Sequence, residues 1–426
     1  MLYKNHMKKY VLFVVALLAI QNIVAQNGFF KIKNSTRDTR NQELIVLSRK
    51  QIEKKMGKLN KGHFVNVTSN NKPIVVQFDD LNTDGVWDEL CFQKTLGPKE
   101  KVIIELSLEN TKPKAHTVNT RARHRRKNID NSFGEDLKKD SIPAGQKGAD
   151  FSKVKLPPFL TEGPAWENDK VGFRIYFDIR NAKDIWGKIT SDLVLDKVGI
   201  DPNDNYHEKS AWGMDILKVG TSLGAGGLAI KFDHQKKDTI VRLGGEGMGG
   251  VVYEKIADGP VRSIIRLQYP SWTIGRDYPP VSLVEEISIW GGQYYYQSQI
   301  TINHAPKGAS LIVGLVNLKS KELNQRKDKG ARYIYTFSRQ SENNDNLGLA
   351  ILLPKGECYF VGTTANANTD VQNTHYVAFP IKSNETKAFR FLAGWEKSSI
   401  EFAQEQGFKD YVSDVSFQYL KPLNVK

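Results

Sequence analysis

Short segments rich in β-branched and aromatic residues recur along almost the whole chain, and few stretches have the periodicity of a helix. Turn-forming pairs and triplets with Gly, Asp or Asn separate these segments. The clearest hairpin joins the predicted strands 281–290 and 294–302 through Gly291-Gly292-Gln293. Only two helices are predicted, over 48–56 and 398–405. The pattern therefore restricts the chain to an all-β fold built mainly from antiparallel strands.

The chain has no sequence repeat of fixed period, which argues against a propeller or a solenoid. Its 426 residues exceed one small domain. We predict a signal peptide over 1–26, a small N-terminal β-domain over 27–110, a basic linker or loop over 111–150, and a large antiparallel β-supersandwich over 151–426. The basic run 121–127 within the linker is either a solvated loop or a flap that reaches over an acidic ligand.

The first residues have the layout of a secretory signal. Lysines precede an apolar run over 11–20, and the small Ala25 lies just before Gln26, where cleavage is expected. An uncleaved membrane anchor is the alternative, although the apolar run is short for a bilayer span. The mature protein is thus expected to be exported, periplasmic or secreted, without stable membrane insertion.

The charge balance is strongly basic, at a formal +14 and a pI near 9.4. A basic exported protein suits acidic partners such as anionic polysaccharide. No recognition helix, zinc knuckle or ribonucleoprotein motif is found, so nucleic acid is not an expected partner. Two cysteines, Cys91 and Cys358, exclude a scaffold built from disulfides.

One predicted strand, 171–179, concentrates side chains suited to an acidic sugar. Apolar residues at 171, 173, 175 and 177 fall on one face, as expected for a core. The opposite face carries Arg174, Tyr176, Asp178 and Arg180. Two guanidiniums, a phenol and a carboxylate on one face predict a site that handles an anionic sugar.

Three motifs together resemble the bacterial domain-of-unknown-function family 4861. They are DDLNTDGVWDELCFQ, AWEND-x-VGFR and YH…WGMDILKVG-x-SLGAGG, and the resemblance spans about 27–420. It implies a galactose-mutarotase-type β-supersandwich in the large domain. It also implies an exported oligosaccharide dehydratase that removes water from a terminal uronic acid of ulvan fragments. The resemblance carries no settled set of catalytic residues.

Elimination from a uronate needs a base for the proton next to the carboxylate, an acid for the departing hydroxyl, and a cation for the carboxylate. His207, in DNYHEKSAWGMD, suits the base or acid role, with His375 and His124 as reserves. Tyr176 or Tyr206 would supply the complementary group, and Arg174 would clamp the carboxylate. A loop or structural histidine is the alternative for His207.

The stretch before the strand supplies candidate substrate-binding residues. Trp166 and Trp212 are predicted as platforms for sugar rings, although most tryptophans of a sandwich lie in its core. Glu167 and Asp169 are predicted to contact substrate or metal, with a structural turn as the alternative. Asp215 and Lys218, if their segment is extended, would lie on opposite faces, so that at most one shares the site.

Residues Asp80, Asn82, Asp84 and Asp88 have the spacing of oxygen ligands in a calcium loop, with Gly85 at its sixth position. Cys91 stands where such a loop has its bidentate Glu. A structural Ca²⁺ and a metal-free Asx-rich turn both remain open, and no cofactor is required for the proposed chemistry. Two other functions also remain open: a polysaccharide lyase that cleaves uronic-acid linkages, and a glycan-binding protein without catalysis.

Overall fold

The computed structural model describes residues 27–115, 117–365 and 369–426. The predicted signal peptide over 1–26 lies outside the described residues. Every ladder between the named strands is antiparallel, so the prediction of an antiparallel all-β protein is confirmed. None of the helices described is long and apolar enough to cross a bilayer.

In chain order, the elements are β1 (Asn27–Lys33), β2 (Arg40–Ser48), α1 (Arg49–Met56), β3 (Phe64–Ser69), β4 (Lys72–Pro73), β5 (Val76–Asp79), β6 (Glu89–Leu96), β7 (Lys101–Glu109), β8 (Thr120–Arg123), β9 (Lys139–Ile142), β10 (Ala165–Asn168), β11 (Val171–Ile175), β12 (Lys183–Lys188), β13 (Gly213–Asp215), β14 (Ala225–His234), β15 (Lys237–Arg242), β16 (Val251–Ala257), β17 (Arg262–Trp272), β18 (Val281–Trp290), β19 (Tyr295–Asn303), β20 (Ser310–Val316), β21 (Asn324–Lys327), β22 (Arg332–Ser338), β23 (Leu347–Leu352), β24 (Phe360–Thr363), β25 (Thr374–Pro380), β26 (Glu385–Trp395), α2 (Glu405–Leu420) and β27 (Asn424–Val425). Short 3₁₀ turns cover Leu160–Glu162, Gly245–Gly247 and Ile400–Ala403.

Two sheets form the N-terminal unit. Sheet 1 has the order β27-β1-β7-β3-β4 and sheet 2 the order β2-β6-β5. Alternate residues of their strands, among them Ile32, Val67 and Phe92, are buried between them. The helix α1 begins at a capping box in which Ser48 and Gln51 bond each other's backbone N–H groups. The unit is completed from far along the chain, because β27 pairs with β1.

Three sheets form the large domain. Sheet 3 has nine strands in the order β21-β22-β23-β26-β19-β18-β17-β16-β9. Sheet 4, β15-β14-β20-β25-β24, and sheet 5, β13-β12-β11-β10-β8, contribute to the same hydrophobic core as sheet 3. One buried ion pair crosses this core, with Lys183 Nζ 2.9 Å from Glu285 Oε1. The large domain is therefore a sandwich of one broad sheet against two narrower ones.

The prediction of a basic linker or loop over 111–150 is wrong for two of its segments, which form the strands β8 and β9. β8 pairs with β10 in sheet 5, and β9 pairs with β16 in sheet 3. Arg123 and His124 of the basic run are fully buried. Arg123 donates to Leu160 O at 2.7 Å, and His124 Nε2 lies 2.7 Å from Asp140 Oδ2. The run is consequently part of the domain's framework and not a flap over a ligand.

The second predicted helix, 398–405, is also wrong. A 3₁₀ turn occupies 400–403, and the regular helix α2 begins only at Glu405. Its buried face includes Phe408, Val412 and Val415, which pack on β22 and β23.

The loop predicted to bind calcium contains Asx turns. Asp80 accepts the backbone N–H groups of Asp84 and Gly85, at 3.1 and 2.7 Å, and Asp88 accepts that of Leu81 at 2.7 Å. Among the described residues, no three acidic, histidine or cysteine side chains converge as metal ligands would. Backbone donors thus engage carboxylate oxygens of this loop, and a structural Ca²⁺ at the same residues stays a prediction.

Candidate active site

The candidate site lies on the face of sheet 5 that points away from the main core. Alternation along β11 places Phe173 in the core and Arg174 on the opposite face. In the antiparallel register, Arg174 stands directly across from Asp184 of β12. Asp215, at the end of the neighbouring β13, stands across from Trp186, two residues from Asp184 along β12 and therefore on the same face. The two central strands are buried on both faces, because the segment between β12 and β13 covers this side.

Arg174 is the centre of a buried charge cluster. Its Nη2 donates to Asp215 Oδ2 at 2.6 Å and to Asp184 Oδ2 at 2.8 Å. Its Nη1 donates to Glu162 Oε2 at 3.3 Å and to Thr161 O at 3.1 Å. The guanidinium also lies over the ring of Trp186, with 4.7 Å to the centroid. Carboxylates and a carbonyl thus engage both terminal nitrogens.

A strained turn holds Glu162 over the cluster. Thr161 and Glu162 have positive φ angles of 50° and 67°, a region that side chains with a Cβ seldom occupy. The buried Arg123 fixes this turn through Leu160 O and Thr161 Oγ1. At Gly163, a Cβ would lie 2.1 Å from Ile175 O, so glycine is required where the turn approaches β11. The basic run of the sequence therefore serves to position one wall of the site.

Two tyrosines and a histidine lie beside the cluster. Tyr176 donates its hydroxyl proton to Asp184 Oδ2 at 2.7 Å and accepts from Arg174 at 3.1 Å. Tyr206 Oη lies 3.5 Å from Arg174 Nη1. His207 is 60 % exposed and places Nδ1 3.5 Å from Asp215 Oδ2. Asp215 therefore lies between Arg174 and His207, and it can orient the imidazole.

Tyr176, Asp215 and His207 open onto a pocket of about 340 Å³. Its lining comprises Tyr176, Arg180, Ala182, Asp184, His207, Asp215, Leu217, Lys218, Val219, Gly220, Arg242 and Glu342. Arg180 is paired with Asp178 and Glu162, and Arg242 with Asp370. Lys218 is exposed, and no described carboxylate lies within 4.0 Å of its ammonium. The pocket thus combines an acidic floor with cations around it.

Burial and charge shift the protonation of the floor. The Asp215 carboxyl has a pKa well above its usual range, because it is buried and lies beside Asp184, although Arg174 opposes the shift. Burial likewise raises the pKa of Tyr176 well above its usual value, so its hydroxyl stays protonated. Partial burial and then the Arg174 guanidinium lower the pKa of His207. At neutral pH the site therefore offers a neutral imidazole beside protonated hydroxyls.

The three residues predicted as catalytic lie in one cluster, and their catalytic roles stay a prediction. Tyr176 and His207 line the pocket, and Arg174 lies directly behind it. The predicted carboxylate clamp is nevertheless wrong for Arg174, because it is 1 % exposed and its donors face protein carboxylates. Asp215 and Lys218 both line the pocket, contrary to the expectation for an extended segment, since β13 ends at Asp215.

The four predicted substrate-binding residues lie outside the pocket lining. Trp166 is buried in the main core against Phe173, and Trp212 packs on Trp186. Glu167 is fully buried and pairs with Lys188 at 2.7 Å. Asp169 accepts the backbone N–H of Gly292 at 2.6 Å. The sugar platforms and acidic contacts predicted for these residues are therefore corrected to structural roles.

Sequence reasoning missed Glu162 and Asp184 as parts of the site. Asp184 could have been found from the hairpin of β11 and β12, where it lies opposite Arg174 and forms a cross-strand ion pair. Glu162 carries no such signal, because its position depends on the irregular turn held by Arg123.

Comparisons with known proteins place these observations in context. The model of the family described as "Domain of unknown function (DUF4861)" matches residues 32–425. The "Uncharacterized protein P7" of Formosa agariphila is 25 % identical over 413 residues, which cover 89 % of this chain and 92 % of that protein.

Two solved structures from Enterococcus faecalis, an alpha-mannosidase and a protein in glycosyl hydrolase family 38, each match with a TM-score of 0.46 and 10 % identity. Either match covers 94 % of this chain, which spans 46 % of the first structure and 47 % of the second.

Proposed function

The chain belongs to the DUF4861 family over residues 32–425, and on this premise we propose that its pocket removes water from the non-reducing terminal uronic acid of anionic, ulvan-type oligosaccharides. The protein would act after export, in the periplasm or outside the cell. The observation that carries the proposal is the convergence of His207, Tyr176 and a group of cations on one pocket. The proposed chemistry invokes no metal or organic cofactor.

The reaction requires one proton to be removed and one to be supplied. His207 Nδ1 faces Asp215, which leaves Nε2 available to take the proton from the carbon next to the uronate carboxylate. The electron pair of that C–H bond forms the new C=C bond. The neighbouring C–O bond breaks, and its oxygen takes a proton from Tyr176 and leaves as water. Tyr176 regains a proton from solvent, and His207 releases its own.

The substrate carboxylate needs a cation whose donors are free. Because protein carboxylates surround Arg174, we assign this role to Lys218 at the edge of the pocket, with Arg242 beside it. Neutralising the carboxylate makes the adjacent C–H bond more acidic, so Lys218 would assist the step as well as bind substrate. Arg174 is then a positioning residue that holds Asp215, Asp184 and Tyr176 in place.

The test uses saturated uronate oligosaccharides with ultraviolet absorbance of the conjugated product and mass spectrometry. A rise in absorbance with loss of one water supports the dehydratase. A rise with shortening of the chain would make the protein a lyase. Retained binding without any absorbance change would make it a glycan-binding protein and overturn the proposal. Lys218→Gln should raise KM more than it lowers kcat.

The pH dependence provides a second test. The neutral imidazole of His207 is the active form, and its pKa is lowered from the ordinary value. We therefore expect kcat/KM to be constant near neutrality and to fall with acidification only below about pH 6.5, as the base becomes protonated. An acidic limb centred above that value would contradict the assignment of His207 as base. Initial rates across a buffer series, with circular dichroism as a control for folding, give the measurement.

A further inference from the structure

The N-terminal unit carries a second charged surface on the exposed face of sheet 1. Alternate residues of β1 and β7 point outward on this side, and we call it the basic sheet face. It is formed by Phe29, Lys31, Lys33, Lys101 and Ile103, with the single carboxylate of Glu105 at the Phe29 end. In the antiparallel register, Lys31 stands opposite Ile103, and Lys33 stands opposite Lys101. Lysines and apolar groups therefore share one exposed surface.

The pairing of Lys33 with Lys101 is unfavourable without an external partner. Like charges directly opposite each other on neighbouring strands repel. Among the described residues, no carboxylate lies within 4.0 Å of either ammonium, or of that of Lys31. Of the two acidic residues on β7, Glu105 lies on this face opposite Phe29 and accepts from Thr68 at 3.3 Å, and Glu109 lies at the end of the strand. An anion bound between the two lysines would relieve their repulsion.

Exposed apolar side chains accompany these charges. Phe29 and Ile103 are each 51 % exposed, which is unusual for large apolar residues in a sheet. The ammonium groups of Lys31 and Lys55 lie 5.8 and 5.9 Å from the ring centroid of Phe29. Two depressions of about 550 Å³ each lie along this face, one beside Phe29 and one beside Lys33. A ring bordered by ammonium groups suits a sugar that carries sulfate or carboxylate groups.

The basic sheet face points away from the candidate active site. The inner face of sheet 1 packs against sheet 2. The other face of sheet 2 contacts the large domain, where Arg262 pairs with Asp79 at 2.7 Å and with Glu89 at 2.5 Å. Gln93 of the same face donates to Gly291 O at 2.7 Å. The outer face of sheet 1 is thus opposite the junction between the two units.

We propose that the basic sheet face binds a chain of anionic polysaccharide, sulfated or rich in uronate. The occupant is inferred from the charge of the facing lysines and from the exposed ring among them. Bound polymer would hold the protein close to the material from which its oligosaccharides are released. The proposal does not depend on the catalytic assignment, since it concerns a different unit and requires no chemistry.

The experiment measures affinity electrophoresis of the purified protein in gels that contain dextran sulfate, polygalacturonate or neutral dextran. We expect retardation by the two anionic polymers alone. The double variant Lys33→Gln/Lys101→Gln should lose about tenfold in affinity, equivalent to about 1.4 kcal/mol, and Phe29→Ser should weaken binding as well. Lys236→Gln/Lys237→Gln, at an exposed hairpin of the large domain, makes the same change in net charge and should bind normally.

Equal loss in both double variants would reduce the effect to net charge and overturn the proposal. Binding of the protein to anionic phospholipid vesicles but to neither polymer would also overturn the proposal. A change in the sedimentation coefficient of the variants alone would overturn it too, because it would indicate that the face is a contact between two copies of the chain. The rate on short uronate oligosaccharides should be the same in all these variants. If the unaltered protein bound the anionic polymers but had no activity on these oligosaccharides, the result would count against the proposed function and not against the basic sheet face.

Discussion

Replacement of His207 by alanine is expected to lower kcat/KM on saturated uronate oligosaccharides by about 10²–10⁴-fold, the usual contribution of a positioned general base. The side chain is 60 % exposed and contacts Asp215 at 3.5 Å, so its removal opens no cavity in the core. The melting temperature should therefore change little. Initial rates followed by ultraviolet absorbance, with thermal unfolding of the same samples, measure both quantities.

The matched control is His234→Ala. His234 is also a partly exposed histidine paired with a carboxylate, Asp277, but it lies outside the pocket lining. It should keep the activity of the unaltered protein. If His207→Ala kept that activity too, the assignment of His207 as the base would be wrong. If both variants lost activity equally, the effect would not be specific to the pocket.

Replacement of Arg174 by methionine is expected to destabilise the protein by about 3–5 kcal/mol, because it leaves buried carboxylates without their cation. Glu162, Asp184 and Asp215 all pair with this one guanidinium, which is 1 % exposed. Activity should be lost as well, since Asp215 and Tyr176 lose their orientation. Chemical denaturation monitored by tryptophan fluorescence measures the free energy of unfolding.

The loss of stability in Arg174→Met should depend on pH. The unpaired carboxyls would have pKa values raised above those of the unfolded chain, so the native state would bind more protons. The stability of the variant then falls as pH rises from the pKa values of the unfolded chain to the raised values of the native state. The difference from the unaltered protein should be smallest near pH 4–5 and largest at neutrality. Arg266→Met, which removes a partly exposed arginine from β17, should cost about 1 kcal/mol or less. Similar losses of stability in both variants would show that the buried ion pairs of Arg174 contribute no more than the partly exposed pairs of Arg266.

The sequence located the candidate site because a strand pattern separates two faces. Alternation from Val171 correctly placed Phe173 in the core and Arg174 with Tyr176 on the other side. The same rule could not show which face of β10 lies on the side of the sheet that carries Arg174. Trp166 looked suited to bind a sugar, yet the register with β11 places it beside Phe173 in the core.

Other parts of the fold depend on contacts between distant segments that local sequence does not record. The basic run around Arg123 resembles a solvated loop, because nothing nearby shows that Leu160 and Thr161 will accept its donors. The helix α2 contains a glycine and two valines, and its packing on β22 and β23 outweighs their weak helix propensity. The oxygen spacing after Asp80 predicts a turn, and the structure shows one in which backbone N–H groups donate to the Asp80 carboxylate.

The pairing of β27 with β1 also bears on how the protein is made. Ile32 pairs with Val425, and Lys426 exchanges two backbone hydrogen bonds with Lys31. The ribosome completes the other strands of sheet 1 by Glu109, more than three hundred residues earlier. At about 5–20 residues per second, this edge of β1 stays open for roughly 15 to 60 s of synthesis. During that interval the nascent chain exposes the unpaired edge of β1, which can pair with another chain. A chaperone that covers this edge would therefore determine which fraction of the protein avoids aggregation.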